Sequence, residues 1–378
     1  MISSIIEMDD FYSTVYGQKN AITTLQKIQE SKKIPHAFLF DGQNGVGKHF
    51  VAIQFAKALN SNLKGKQLST TFKRIEKLEI PNIKYIVPLP RGRGETSEDS
   101  ATAKLSEDQL DCIKKEFENK SKNPYYQIYI EKANNIKISS IRDIKKFVVL
   151  NYDDTSYRFI LISDAHLMND EAQNALLKSL EEPPDGIIFI LMTPFKERLL
   201  TTIQSRCWQI KFEPLSDNSV ENILTNKFNI ESDLAKKVSV FSDGSVTNAL
   251  DLLENDFEYF MEKTIEILRY SLARHYSTAF QIINELSKSN PKKSVTILIQ
   301  FINKWLVDVV KNRINYEKNY YFKDALDIVE KFNSKYANIN IEEIYKLNDR
   351  LVQTIDRNVS LNIITMNIIF EIASIGLK

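Results

Sequence analysis

Residues 42–49, GQNGVGKH, constrain the fold of this chain more than any other part of the sequence. A short apolar run at 37–40 precedes them, and the stretch FVAIQFAKALN, which suits a helix, follows them. A G-x-x-x-x-G-K loop between a strand and a helix is typical of a phosphate-binding turn, because backbone N–H groups and the helix N-terminus favour an anion there. The sequence therefore predicts an α/β fold around this loop.

Four residues of the loop are candidates for phosphate contact: Gly42, Gly45, Gly47 and Lys48. The glycines let the backbone curl around phosphates, and Lys48 can reach the terminal ones. The next residue departs from the pattern, because His49 stands where Ser or Thr normally gives its hydroxyl to Mg²⁺. An imidazole matches a hard, oxygen-preferring ion poorly. We interpret the segment as a P-loop whose metal position has changed.

Residues 158–184 predict a second strand and helix of the same sheet. The apolar run 159–162 is typical of a strand buried in a parallel sheet, and Asn169 can cap the helix that follows. Ser163 and Asp164 come at the carboxyl end of the strand, where a P-loop ATPase carries its acidic pair. With Ser163 in the metal-side position, the charge that organises Mg²⁺ is absent. The sequence predicts weak or absent hydrolysis; the alternative is that Asp164 serves the metal.

Two further candidates follow along the chain. Thr193 comes after the buried run 186–192, where it could sense a γ-phosphate or simply end the strand before Pro194. Arg206 lies in the segment QSRC. A guanidinium can stabilise charge on a transferring phosphoryl group when a neighbouring subunit supplies it. From its position alone, a structural ion pair is the alternative for Arg206.

Composition excludes several classes of function. Fifty Lys and Arg against forty-nine Asp and Glu give a net charge of +1, which favours neither strong nucleic-acid binding nor a membrane surface. Cys112 and Cys207 are too few for a disulfide framework or a four-thiolate zinc site, and they fit a reducing, cytoplasmic location. The apolar run 361–377 contains Asn and Glu, so it predicts a buried helix and no membrane span.

The pattern changes along the chain predict three domains. Strand signals end near Pro214, which predicts an α/β domain over residues 1–213, a small helical domain over 214–262 and further helices over 263–378. Within the first domain, residues 62–135 follow a pattern of their own, and we treat them as an insert.

The insert itself shows three recognisable segments. Residues 83–87 suit a strand, residues 106–117 suit a helix, and residues 126–130 alternate like an edge strand.

Several motifs together resemble the AAA+ clamp-loader subunits of bacterial DNA polymerase III. They are GQNGVGKH, ISDAHLMNDEAQNALLKSLEEPP and TIQSRC, with IPHAFLF and LNDRLVQTIDRNVSLN as weaker matches. The resemblance covers about residues 10–60 and 138–260 and, more faintly, the tail. It implies a RecA-like AAA+ domain with a parallel sheet, a helical lid over 214–262 and an all-α collar over 263–378.

Within this family the chain is more similar to the delta-prime type than to the ATP-hydrolysing gamma/tau type. An active motor carries Ser or Thr in place of His49, Asp-Glu in place of Ser163 and Asp164, and an Arg where we align Thr247. Arg206 of the SRC motif is kept. The resemblance implies that Arg206 completes the ATP site of an adjacent motor subunit in trans, while the P-loop of this chain is vestigial.

The resemblance also implies partners and cofactors. The neighbours would be gamma/tau and delta subunits, in a pentameric loader that places the sliding clamp on primer-template DNA. No cofactor is expected to be required: weak ATP or ADP binding is allowed, Mg²⁺ is not expected, and zinc is not carried over because residues 62–135 lack the family's four-cysteine module. Two alternatives stay open, an active gamma/tau-like ATPase that uses Asp164 on Mg²⁺, and a stand-alone nucleotide- or nucleic-acid-binding module.

Overall fold

The computed structural model describes residues 11–96, 98–149, 156–288, 290–316, 320–337, 339–355 and 360–374. These residues form two compact units. The first contains the described residues up to Ser232 together with Asp243–Asn248, and the second contains Asp233–Ser242 together with the described residues from Ala249 onward. The division into three domains at residues 213 and 262 stays a prediction.

The first unit is built on a five-stranded sheet whose neighbouring strands are all parallel. The order in the sheet is β2-β3-β4-β1-β5, so the carboxyl ends of β3, β4 and β1 lie side by side. The predicted parallel α/β fold is confirmed. In chain order the strands are β1 (Ala37–Asp41), β2 (Ile83–Ile86), β3 (Arg158–Ile162), β4 (Ile187–Thr193) and β5 (Trp208–Lys211).

Helices cover both faces of this sheet. Those that lie wholly in the first unit are α1 (Lys19–Glu30), α2 (Lys48–Leu59), α3 (Gly65–Glu76), α4 (Glu107–Lys122), α5 (Ile138–Val149), α6 (Asp170–Glu181), α7 (Thr201–Gln204) and α8 (Asp217–Phe228). Helices α9 (Ser232–Phe241) and α10 (Val246–Glu254) have residues in both units. The predicted cap of α6 is present, because the Asn169 side chain accepts a hydrogen bond from Ala172 N.

The central strands are buried on both faces, which explains their unbroken apolar sequences. Phe38 and Phe40 of β1 belong to the core on one side of the sheet, where the Phe38 ring packs against Phe55 of α2 with centroids 5.3 Å apart. Leu39, between them, belongs to the core on the other side, together with residues of α5 and α6. Successive residues therefore fill two cores, and this fixes the register of the sheet.

Asn60, just after α2, ties this helix to the chain that enters β3. Its amide donates to Ala56 O at 3.0 Å and to Tyr157 O at 3.1 Å. Its Oδ1 accepts from the backbone N of Ser156 and of Tyr157, both at 3.1 Å. The residue is fully buried. We expect Asn60→Ala to lower the free energy of unfolding by about 2–4 kcal/mol, because buried backbone groups lose their partners.

Urea unfolding of the variant measures this loss. Asn62→Ala is the matched control, because the exposed Asn62 accepts only the Ser156 hydroxyl at 2.9 Å among the described contacts. We expect less than about 0.5 kcal/mol for the control. Equal losses in the two variants would contradict a structural role for Asn60.

The insert contributes α3, β2 and α4 to the first unit. The strand predicted at 83–87 is found at Ile83–Ile86, and the helix predicted at 106–117 is found at Glu107–Lys122. Helix α4 begins with a capping box in which Ser106 and Gln109 satisfy each other's backbone N–H groups.

The prediction of an edge strand over residues 126–130 is wrong, because the segment forms no strand. Glu116 of α4 accepts a hydrogen bond from Tyr129 N at 2.7 Å and from the Tyr126 hydroxyl at 2.8 Å. Side chains of α4 therefore satisfy polar groups of this segment, and its alternating pattern reflects packing against a helix.

The second unit is mostly helical, as predicted for the C-terminal region. Its helices are α11 (Phe257–Leu272), α12 (Tyr276–Leu286), α13 (Pro291–Arg313), α14 (Leu326–Lys335), α15 (Ile341–Ile355) and α16 (Leu361–Ser374). The long α13 is largely buried, and Phe301 and Trp305 of this helix are each 1% exposed. The predicted helix over 361–377 is found as α16, and residues 375–377 lie outside the described residues. No described helix is long and apolar enough to cross a membrane.

Candidate functional site

The loop after β1 lies at the carboxyl edge of the sheet, beside the ends of β3 and β4. Gly42 N donates to Thr193 O at 3.1 Å, which joins the loop to the end of β4. Gly45, Gly47, Lys48, His49, Ser163 and Asp164, all predicted as site residues, line one cavity at this edge. Parallel α/β sheets place their ligands at such edges. The structure therefore brings the P-loop and the acidic strand end together.

Thr193 and Arg206 do not line this cavity. Thr193 is fully buried, and its hydroxyl hydrogen-bonds His166 Nδ1 at 3.1 Å and accepts from Phe195 N at 3.0 Å. The contacts of Thr193 thus support the end of β4, while a role in sensing a phosphate stays a prediction.

The cavity is small, and the insert forms part of its wall. Its volume is about 60 Å³, whereas sites for drug-sized ligands typically measure roughly 300–1,000 Å³. Lys120 of α4 and the segment 124–128 form one side of it. The buried Lys120 ammonium donates to Pro124 O at 3.0 Å and to Tyr126 O at 2.7 Å, which holds the turn after α4 in place. Residues of the insert therefore narrow the space in front of the P-loop, and a second cavity of about 250 Å³ adjoins it at Asn44 and Asp164.

His49 is buried against residues of the insert and does not face solvent. Its ring lies 5.3 Å from the Tyr85 ring of β2, which in turn lies 5.5 Å from Phe117 of α4. Burial, followed by the nearby Lys120 charge, lowers the pKa of His49 well below its usual value. A neutral, enclosed imidazole fits a packing role and is poorly suited to hold Mg²⁺ beside a phosphate.

Ser163 and Thr247 also contact neighbours of the cavity. Ser163 N donates to Ile86 O of β2 at 2.9 Å, and the Ser163 hydroxyl donates to Asp164 Oδ2 at 3.4 Å. The Thr247 hydroxyl donates to Tyr125 O at 2.7 Å. Together with His49, these are the positions that depart from the motor pattern, and each contacts the insert.

Lys48 is bound by its own loop. Its ammonium donates to Gly42 O and to Gln43 O, the latter at 2.8 Å. Burial lowers the pKa of Lys48 to about 8, against the opposing effect of Asp164 and Asp41. In this conformation the Lys48 ammonium binds backbone carbonyl oxygens of its own loop, where it would otherwise bind phosphate oxygens.

Lys120 brings a second buried ammonium to the same carboxylate. Burial lowers the pKa of Lys120 to about 7, while Asp164 raises it and Lys48 lowers it further. We expect the free energy of unfolding to rise with pH, by about 1 kcal/mol per pH unit near pH 7 and by about 2 kcal/mol per pH unit near pH 8.5. In this window both lysines lose their protons in the folded protein but keep them when unfolded, so unfolding takes up protons.

Urea unfolding between pH 6.5 and 8.5 measures this slope. Asp164, Lys48 and His49 are the ionisable groups that face Lys120. Lys120→Met should flatten the slope, whereas Lys122→Met, an exposed position of the same helix, should leave it unchanged. Identical slopes for the two variants would show that Lys120 does not titrate in this range.

Arg206 lies on the surface of the first unit, just after α7. Its Nη2 forms an ion pair with Glu181 Oε1 at 2.8 Å, and its Nη1 donates to Thr202 O at 2.9 Å. The side chains of Arg206 and Glu181 are 36% and 50% exposed. An exposed ion pair contributes only about 0–1 kcal/mol, so the guanidinium can leave Glu181 at little cost.

Sequence reasoning missed Lys120, Tyr125 and Tyr85. A signal for Lys120 was present, because it follows Ile113 and Phe117 at helical spacing on the apolar side of α4. A lysine on that side needs buried acceptors. No comparable local signal indicated Tyr125, whose partners lie far away along the chain.

The described residues contain no group of three or more His, Cys, Asp or Glu side chains arranged to hold a metal ion. This finding covers the insert apart from residue 97. The absence of zinc and magnesium from the working protein stays a prediction.

A G-x-x-x-x-G-K loop between β1 and α2 and the parallel order β2-β3-β4-β1-β5 define an AAA+ module of the P-loop class. A family model described as DNA polymerase III, delta subunit, matches residues 17–216. The chain belongs to this family, the clamp-loader subunits of DNA polymerase III that act in DNA replication.

Curated relatives include both types of subunit. The chain is 27% identical over 297 residues to the gamma subunit of Buchnera aphidicola subsp. Schizaphis graminum, covering 76% of this chain and 70% of that protein. It is 26% identical over 328 residues to the tau subunit of Bacillus subtilis, covering 83% and 50%, respectively. It is also 26% identical over 242 residues to the delta' subunit of Bacillus subtilis, covering 63% and 60%. Identity is therefore similar for the two types.

A solved gamma-subunit-related protein from Thermotoga maritima aligns with 93% of this chain and 99% of its own. The sequence identity is 14% and the TM-score is 0.47.

Proposed function

We propose that this chain is a delta-prime-type clamp-loader subunit that does not hydrolyse ATP and supplies Arg206 to the ATP site of a neighbouring gamma/tau subunit. One contrast carries the proposal. The chain's own P-loop cavity, of about 60 Å³, is narrowed by the insert, whereas Arg206 is exposed and bound through a surface ion pair.

The chemistry of the P-loop site supports the absence of hydrolysis. Mg²⁺ in a P-loop ATPase takes oxygen ligands from a Ser or Thr of the loop and from an Asp of the acidic strand. His49 and Ser163 occupy these positions and contact residues of β2. Asp164 remains, and its surroundings contain the ammonium groups of Lys48 and Lys120. Two buried cations oppose the entry of a divalent cation at the same carboxylate.

The surface position of Arg206 supports action in trans. Stabilising charge on a phosphoryl group requires a guanidinium that can approach the nucleotide of another subunit. Such a group needs no nucleotide in its own chain. The weak Glu181–Arg206 pair holds the guanidinium without burying it, which suits transfer to a stronger anion.

The proposed partners are gamma/tau and delta subunits, with the sliding clamp and primer-template DNA reached through the assembled complex. Membership of the clamp-loader family supports an assembly with other subunits. The net charge of +1 supports DNA contact by the complex and not by this chain alone. We place the complex in the cytoplasm.

An active gamma/tau-like ATPase is the second candidate, favoured by the match to gamma subunits over three quarters of the chain. ATP turnover of the purified chain with Mg²⁺, alone and in a complex with gamma/tau and delta subunits, separates the two. We expect no turnover by the chain alone and the same turnover by complexes that contain wild type or Lys48→Ala. Turnover by the isolated chain that Lys48→Ala abolishes would favour the motor.

A further inference from the structure

Residues 107–130, which we call the α4 arm, contact the P-loop, the segment Asp243–Asn248 and α8. The arm comprises α4 and the segment after it. Tyr125 is 3% exposed and is its central residue. Its ring atoms lie 3.8 Å from the position that a Cβ on Gly47 would take, so the arm rests directly on the phosphate-binding loop.

The arm also holds the segment Asp243–Asn248. The Thr247 hydroxyl donates to Tyr125 O at 2.7 Å, and both partners are buried. The P-loop binds the same segment directly, because Val246 N donates to Gly45 O at 3.0 Å. Gly45 has a φ of 78°, and any side chain there would overlap Ser245 and Thr247. Loop, arm and segment therefore form one close contact.

Helix α8 joins this contact through a lysine. The Lys227 ammonium lies 4.5 Å from the centre of the Phe50 ring and 5.8 Å from the centre of the Tyr125 ring. The Phe50 and Tyr125 rings are 6.1 Å apart. Cation–π attraction between a lysine and two rings holds α8 against both the P-loop helix and the arm.

The two lysines of the site bind protein oxygens where they would otherwise bind an anion. Lys48 donates to backbone carbonyls of its own loop, and Lys120 donates to carbonyls of the arm. Asp164 acts on both ammonium groups. Each cation that would attract a phosphate already has oxygen partners from the protein.

We propose that the α4 arm is a built-in substitute for a nucleotide, which keeps the first unit in one conformation whether or not ATP or ADP is present. This assigns a role to the insert and deepens the proposed function, on which it rests for the absence of turnover. It also gives His49, Ser163 and Thr247 one shared explanation, because each contacts the insert where a motor would contact metal or nucleotide.

Hydrogen exchange of the full-length chain tests the proposal. Exchange is followed in residues 243–248 and in α8, without nucleotide and with millimolar ATP or ADP and Mg²⁺. We expect the rates of the wild type to change less than twofold on adding nucleotide. We expect Tyr125→Ala to accelerate exchange in both segments at least tenfold. The control is Tyr129→Ala, a residue of the same arm that is 75% exposed, and it should leave the rates unchanged.

Thr247→Val provides a second variant in case Tyr125→Ala does not fold. It removes only the hydroxyl that donates to Tyr125 O. We expect exchange in residues 243–248 of Thr247→Val to be about fivefold faster than in the wild type, and exchange in Tyr129→Ala to match the wild type. Two results would overturn the proposal: wild-type exchange slowed at least tenfold by nucleotide, or equal rates in the Thr247→Val and Tyr129→Ala variants.

Hydrogen exchange and the reconstituted ATPase assay together distinguish this proposal from the proposed function. A reconstituted complex that is indifferent to Arg206→Ala would refute the trans-acting arginine and leave the exchange results as they are. Exchange that responds to nucleotide in a chain without ATP turnover would refute the substitute role of the arm and leave Arg206 in place.

Discussion

Arg206→Ala should lower ATP turnover about 10³-fold at the neighbouring site that we propose it completes, in a complex reconstituted with gamma/tau and delta subunits. Arginine fingers supplied in trans contribute roughly 10³–10⁵ to phosphoryl transfer, because they neutralise charge that develops in the transition state. The isolated variant should keep its fold, since Arg206 is exposed and loses only a surface ion pair and one hydrogen bond to Thr202 O. Clamp loading by the complex should fall with the turnover.

Single-turnover ATP hydrolysis by the complex measures the effect, because a site slowed about 10³-fold separates as a slow phase from the sites that other subunits complete. Arg198→Ala is the matched control, because Arg198 is also an exposed arginine of the first unit but stacks on Phe195, 4.6 Å from the ring centre. Glu181→Gln weakens the ion pair and should leave turnover within about threefold of wild type. Unchanged turnover and clamp loading with Arg206→Ala would refute the proposed role.

Restoring the motor residues should not restore hydrolysis. A variant with His49→Thr, Ser163→Asp, Asp164→Glu and Thr247→Arg regains the residue types of an active ATPase, but the α4 arm still lies in front of the P-loop. We expect no ATP turnover and a free energy of unfolding lowered by roughly 3–5 kcal/mol, the cost of an unpaired buried charge. Thr247 is 7% exposed and donates to Tyr125 O, so the charge of an arginine at this position would be buried.

Urea unfolding and a coupled ATPase assay test this expectation together. Thr201→Arg is the control for the introduced arginine, because Thr201 is exposed and the same change there should cost less than about 0.5 kcal/mol. Magnesium-dependent turnover by the quadruple variant at a rate typical of kinases and ATPases, on the order of 1 s⁻¹ or above, would show that the arm does not exclude nucleotide.

The sequence predicted the sheet well because its central strands are governed by local patterns. The run 159–162 is apolar at every position since both faces of β3 are covered, and this leaves an unambiguous signal. The cap at Asn169 and the loop at 42–49 depend on neighbouring residues only, so they were also predicted correctly. Local chemistry was sufficient for these elements.

The contacts between the insert and the P-loop site could not be predicted in the same way. The bond from Thr247 to Tyr125 O joins residues 122 positions apart, and no local pattern carries information on such a pair. The alternation in 126–130 suggested a strand, because periodicity reports which side chains are buried and not what they are buried against. Here Glu116 and Lys120 of α4 supplied the hydrogen-bond partners.

The ion pair between Glu181 and Arg206 has a consequence for the order of events during assembly. Because water surrounds both side chains, ions in solution weaken their attraction, and a polyphosphate offers the guanidinium a denser negative charge than one carboxylate can. If Arg206 acts in trans as proposed, Glu181 would keep it near the surface and would compete only weakly with the nucleotide of an ATP-loaded neighbour. The neighbour's nucleotide, and not a rearrangement inside this chain, would decide when the arginine changes partners.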